Sequence, residues 1–352
     1  MKRLLSSAVA FAIGISTITA ASAEQKKEFN IAWTIYVGWM LWPYAAEAGI
    51  VKKWADKYGI TINVTQINDY VESINQYTAG KFDGVTVTNM DALTIPAAGG
   101  VDTTAIIMGD YSNGNDGVVL KKGKTLADIK GQKVNLVELS VSHYLLARGL
   151  STVKLQEKDI KTVNTSDADI VAAAKSPDTT AVVTWNPQLL EVKADPGATL
   201  VYDSSKIPGE IEDLLVIKTE TLKDNPNLGK ALVGIWYETI ALMKDESDKG
   251  KAAREAMAKL SGTNLAGFET QLKTTHMYYT PKDGAAFMIS GELPKIMDQV
   301  RGFCFEHNLL GEKVKSKDAV GIMTPTKTLG SDKNIRLRFD AAYMKLAAEG
   351  KL

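Results

Sequence analysis

Apolar and polar positions along this chain switch repeatedly between two periods. Residues 29–34 form a short apolar run of strand length, and residues 60–67 alternate with a period of two. Between them, residues 44–58 carry apolar side chains at helical spacing and stop at Gly59, a residue suited to a helix end. Residues 72–81 read as a helix, 84–88 as a strand and about 90–98 as a helix. This alternation predicts a largely parallel sheet covered on both faces. A second series starts at Val118, with strands at 133–136, 162–163 and 180–184 and helices at 142–152 and 167–175. From Leu214 the pattern becomes mainly helical. The chain is expected to cross between lobes at 109–117 and 204–213. Residues 24–109 with 214–352 then form a discontinuous first lobe with C-terminal helices, and 110–213 form the second.

The first 23 residues carry a different signal. Lys2 and Arg3 precede an apolar stretch from Leu4 to Ala20, and Ala21-Ser22-Ala23 has the small-x-small pattern of a signal-peptidase site. The stretch is too short and too rich in Ser, Thr and Gly for a stable spanning helix. No Cys follows the site, so a periplasmic protein without a lipid anchor is expected, starting near Glu24. The lone cysteine, Cys304, rules out an intramolecular disulfide. Without Lys2 and Arg3, 39 basic residues face 41 acidic ones, a net charge of −2. A near-neutral chain without basic runs argues against nucleic acid or an anionic membrane as partner.

Open sheets of this kind bind ligands where strand ends enter the next helix. Those loops hold Tyr36, Trp39, Trp42, Tyr44, Tyr70 and Trp185, with Asp69, Glu72, Asp91, Glu138, Glu210, Glu212 and Asp213. None of these loop segments contains Lys or Arg. A sulfonate, nitrate or phosphate site would recruit guanidinium groups or helix N-terminal amides. Aromatic faces beside carboxylates suit a small cation instead. The candidate ligand-binding residues are Tyr36, Trp39, Trp42, Asp69, Asn89, Asp91, Glu138, Ser140, Trp185, Glu210 and Asp213.

Each has a plainer reading. Trp39 and Trp42 are three apart, so one can face a pocket while the other packs, with Trp39 the first choice. Asp91 can cap the helix after Asn89, and Asp69 and Glu72 can supply favourable charge at a helix start. Glu138 can be a solvated loop carboxylate and Asp213 a hinge carboxylate. Trp33, Trp54 and Trp236 read as core. His143, His276 and His307 have no second His or Cys at metal-ligand spacing, which disfavours a zinc site. The chain lacks a Gly-x-Ser-x-Gly elbow and a phosphate-cradling glycine loop, and Ser140 and Ser142 beside His143 make a poor nucleophile–base pair. No enzyme activity and no cofactor are expected.

Several motifs, taken in order, resemble a known group. Tyr36-Val37-Gly38-Trp39, Glu72-Ser73-Ile74-Asn75-Gln76 and Ala79-Gly80-Lys81-Phe82-Asp83-Gly84 are similar to the nitrate/sulfonate/taurine group of periplasmic solute-binding proteins. So are Gly131-Gln132-Lys133-Val134, the stretch Leu139-Ser140-Val141-Ser142-His143, and Thr184-Trp185-Asn186-Pro187. The resemblance covers about residues 28–245. It implies a type II two-lobed α/β fold, each lobe with a mostly parallel sheet, closing on a solute delivered to an ABC permease with a cytoplasmic ATPase. A monomer is expected. Leu139 stands where the group usually has Gly. Residues 36–43 and 204–213 look more like the subgroup associated with urea carboxylase gene clusters, which implies guanidinium or urea as the solute. The acidic-aromatic loops favour guanidinium, with urea or a sulfonate- or nitrate-type anion as the alternatives. An enzyme on the same fold, similar to the thiamine-pathway pyrimidine synthases, would carry a Cys-rich segment that this chain lacks.

Overall fold

The computed structural model describes residues 26–352. The expected signal segment lies outside these residues. Two sheets organise the chain. The larger is built from β1 (Glu28–Trp33), β2 (Thr61–Gln66), β3 (Gly84–Thr88) and β4 (Thr103–Ser112) before the chain leaves it. The smaller contains β5 (Asp116–Leu120), β6 (Lys133–Leu136), β7 (Lys161–Asn164), β8 (Ala181–Trp185) and β9 (Thr199–Asp203). The chain then returns through β10 (Glu212–Lys218) and adds β11 (Thr275–Met277), β12 (Gly321–Met323), β13 (Thr328–Leu329) and β14 (Ile335–Phe339). Strand order in the larger sheet is β13-β12-β14-β4-β10-β3-β1-β2, with β11 also on β4, and in the smaller β7-β6-β8-β5-β9.

The expected strands and helices of the first 200 residues are present to within a few positions, with differences that have local causes. The single helix expected over 44–58 is two, Leu41–Glu47 and Ile50–Tyr58, because Gly49 adopts φ +75° and breaks it. The helix expected after Met90 begins at Asn89 and loosens into a wide turn over Leu93–Ala97, where Pro96 withholds an amide. The sheets are mixed rather than largely parallel. β1 pairs in parallel with β2 and β3, but β10 runs antiparallel to both β3 and β4, and β5 antiparallel to β8 and β9. The cause is the crossing itself. One strand leaves the first lobe and its neighbour brings the chain back, so the two must run in opposite directions. The C-terminal part is not purely helical either: β11 to β14 extend the first sheet. They are two to five residues long, too short for strand periodicity to stand out.

The two crossings are tied together where they meet. Ser112 Oγ lies 2.6 Å from Ser204 Oγ and donates to Asp116 Oδ2 at 2.5 Å. The helix Glu292–Glu306 of the first lobe lies against the second: Gln299 Nε2 donates to Tyr144 Oη at 3.0 Å, and the Phe303 and Tyr144 rings meet edge to face at 5.0 Å. Tyr70 N–H donates to Asp167 Oδ1 across the cleft at 3.1 Å. The lobes are closed on each other.

Candidate ligand-binding site

Strand register assembles the floor of the cleft. Asp213 of β10 stands opposite Thr88 of β3 on one side and Asp110 of β4 on the other. Three polar side chains therefore share one row across three hydrogen-bonded strands at the hinge. Asp110 is fully buried, and Tyr36 Oη donates to its Oδ1 at 2.6 Å. No protein donor reaches its Oδ2 among the described residues. The Asp110 and Asp213 carboxyls face each other, a contact that becomes a hydrogen bond when one of them holds a proton. The backbone at Gly38 passes so close that a Cβ there would lie 2.4 Å from Asp110 Oδ2 and 2.7 Å from Tyr36 Cε1. Glycine is what lets Tyr36 reach the acid pair.

Aromatic rings build the walls. Tyr36 meets Trp39 edge to face at 5.0 Å, Trp39 stacks on Tyr70 at 5.9 Å, and Tyr70 meets Trp185 edge to face at 5.6 Å. This run of rings passes from the first lobe to the second. With Thr88, Asp116, Val141, Ile211 and Asp213 they line a cavity of about 20 Å³. That is space for one or two water molecules with the lobes closed. Behind the wall, Asp91 is buried and accepts from Tyr70 Oη at 2.8 Å and Thr88 Oγ1 at 2.9 Å.

The acids are uncompensated. No Lys or Arg lines the cavity, and none forms an ion pair with Asp110, Asp116, Glu212 or Asp213 among the described residues. Burial penalises the charged form and raises all of them. Asp91 is pushed up to about 6 and Asp116 to about 7, in both cases by burial against partly offsetting hydrogen bonds. Glu212, Asp213 and Asp110 are also raised, by burial first; the charge of Asp110 adds to the effect on Glu212 and Asp213, and that of Asp116 to the effect on Asp110.

Of the eleven candidates read from the sequence, the structure places Tyr36, Trp39, Trp185 and Asp213 on the cavity, with Asp91 one layer behind. The other six lie elsewhere. Trp42 is turned into the first-lobe core, 5.7 Å from Trp236, because the short turn Val37–Trp39 presents Trp39 to the cleft and the helix that follows buries its neighbour. Asp69 caps the helix Tyr70–Thr78 by accepting from Glu72 N–H at 2.8 Å. Asn89 braces the return crossing, donating to the Glu210 carbonyl and accepting from Glu212 N–H. Glu138 is half-buried in a loop held by its own amide on Asn164. Ser140 caps the helix Val141–Thr152, accepting from Ser142 N–H and donating to the Val137 carbonyl. Glu210 is held in a bidentate pair by Arg148 at 2.9 Å and also accepts from Tyr144 Oη. Asp91 is not the cap suggested for it: Thr88 caps that helix. Asp110 and Asp116 are absent from the candidate set. Their signal was two acids inside the 109–117 crossing, a stretch read for its topology and not for its chemistry.

Comparison with known proteins agrees with this architecture. The model of the family described as NMT1/THI5 like matches residues 44–248. The chain belongs to that family. A protein of Brucella abortus (strain 2308) whose name describes a binding protein is 23% identical over 242 residues, 68% of this chain and 72% of its own length. Among solved structures, the alkanesulfonate-binding protein SsuA of Xanthomonas axonopodis pv. citri bound to MOPS has a TM-score of 0.69 at 16% identity. That match covers 83% of this chain and 97% of that one. The periplasmic nitrate-binding protein NrtA of Synechocystis PCC 6803 has a TM-score of 0.58 at 13% identity, over 92% and 98%. At these identities the likeness is one of fold: two α/β lobes of the periplasmic binding-protein type. No helix among the described residues is long and apolar enough to cross a membrane.

Proposed function

We propose that this protein is the extracytoplasmic solute-binding component of an ABC importer, and that its solute is a small planar cation, guanidinium. The observation that carries this reading is the set of buried carboxyls, Asp110, Asp116, Glu212 and Asp213, gathered at the hinge without a cationic partner. Burying an unpaired carboxylate is costly, and either a proton or a bound cation must compensate it. Trp39, Tyr70 and Trp185 add aromatic faces that attract a cation and fit a flat one. The small size of the cavity restricts the solute to a very small molecule. The second reading, a sulfonate or nitrate, draws on the alkanesulfonate- and nitrate-binding proteins among the structural neighbours, but every charged group on this cavity repels an anion. Urea matches guanidinium in shape but forgoes the charge. Binding without turnover is the expected behaviour: the Thr88 hydroxyl on the cavity is turned back to hydrogen-bond Asp91 behind the wall.

A calorimetric panel of guanidinium, methylguanidine, urea, arginine, taurine and nitrate tests the reading. Guanidinium should bind most tightly, urea more weakly, and the two anions negligibly. Taurine or nitrate binding more tightly than guanidinium would sink it.

A further inference from the structure

Away from the cleft, two of the three histidines, one from each lobe, converge on one second-lobe carboxylate. His307 ends the first-lobe helix Glu292–Glu306, and its Nε2 lies 2.6 Å from Glu157 Oε1 in the second lobe. His143, on the second-lobe helix Val141–Thr152, places its own Nε2 3.4 Å from the same oxygen, without hydrogen-bond geometry. Phe303 stacks on His307 with ring centres 4.0 Å apart. All three polar groups are at least half-buried, with His143 the most enclosed.

Two imidazoles and a carboxylate have the composition of a metal site, but the outer ring nitrogens point to another chemistry. Leu139 N–H donates to His143 Nδ1 at 3.1 Å, so that nitrogen carries a lone pair and the ring proton sits on Nε2. A metal at Nε2 would have to displace it, whereas metal-bound imidazoles donate from the outer nitrogen. His307 is arranged differently: Nδ1 faces the Phe303 carbonyl at 2.9 Å and Nε2 faces a carboxylate, so both nitrogens meet acceptors. A ring with two acceptors is satisfied in full only as imidazolium.

We propose that His307 and Glu157 form a proton-dependent clasp between the lobes, holding them shut while His307 is an imidazolium and releasing them when it is neutral. The other titratable groups around it are Glu306 on the same helix, Lys158 beside Glu157, and His143, whose Nε2 lies 3.4 Å from the carboxylate. The hydrogen bond that His307 donates to Glu157 raises His307 above its ordinary range against the opposing effect of burial, and the two histidines hold Glu157 down at about 2. The signs follow from linkage. His307 titrates higher when the lobes are closed, so its contribution to closure is complete below its open-form pKa and disappears as pH rises through the closed-form value. Glu157 stays ionised throughout that window.

The experiment is done without any solute, so its outcome is independent of the identity of the solute. Spin labels at Lys81→Cys and Lys193→Cys, one exposed site on each lobe, report the closed fraction by electron–electron distance; Cys304 is buried. Between about pH 6 and about pH 9 the clasp should change the opening equilibrium roughly two- to fivefold. The His307→Gln protein should be more open than wild type at the acid end and converge with it at the alkaline end, and Glu157→Gln should behave likewise. Buried acids of the cleft also titrate, which is why the difference between proteins is the readout. Nitrogen-15 ring shifts in a closed sample should show His307 as imidazolium and His143 protonated at Nε2. Wild-type and His307→Gln curves separated by the same amount at every pH would overturn the clasp. So would zinc closing the wild type with a chelator erasing the pH effect, which would make the set a metal site.

Discussion

The sign of the pH dependence of binding separates a cationic solute from an anionic one more sharply than any substitution. The perturbation is a change from about pH 8 to about pH 6. Asp116, buried beside the cavity without a counter-charge, is pushed up to about 7, and the Asp110–Asp213 pair is raised by the same burial. A bound cation favours the ionised carboxyl, so binding at the acid end must expel a proton. Each unit of pH below the free-protein value then costs up to a factor of ten per proton released. With one group titrating near 7, affinity for guanidinium should fall roughly tenfold between the two pH values, and further if the acid pair also gives up its proton. Guanidinium itself stays charged throughout, as the guanidinium of Arg does. Titration calorimetry in two buffers of different ionisation enthalpy measures both affinity and the number of protons released. Affinity that is flat across this range, with no proton release, would refute the linkage. Affinity that improves toward acid would refute the cation reading altogether, because protonating these acids can only weaken the hold on a cation.

Other predictions bear on single residues. Trp185→Ala removes one aromatic face; a desolvated cation–π contact is worth about 2 kcal/mol, so calorimetry should show a loss of about thirtyfold for guanidinium. Asp213→Asn keeps shape and removes charge, so it should cost guanidinium much more than urea; equal losses would mean that this carboxyl is structural. Gly38→Ala forces a methyl group against Tyr36 and Asp110 and should weaken binding while leaving the melting temperature within a few degrees, checked by calorimetry and thermal unfolding together. Saturating solute should shrink the radius of gyration in solution scattering, and an unchanged profile would indicate a rigid site or the wrong solute.

Local pattern alone determined much of this protein. Period-two and period-3.6 stretches marked β1 to β3, β6 and β8 and the helices between them, because each element must bury one side against a shared core. The loop positions of Tyr36, Trp39 and Trp185 were legible for the same reason: a strand end hands its next residues to the cleft. Tertiary structure decided the rest. Whether Trp39 or Trp42 faced the cavity depended on a three-residue turn and on Trp236, nearly two hundred residues away in sequence. Glu210 has the place of a ligand carboxylate in the sequence, but Arg148, on the helix Val141–Thr152, occupies it. The acid pair at the heart of the site exists only through register, since Asp110 and Asp213 meet when β4 and β10 lie side by side in opposite directions. A charge within a segment is written in the sequence. What compensates it, another chain segment or a solute, is settled only when distant strands are brought within a few ångströms of each other.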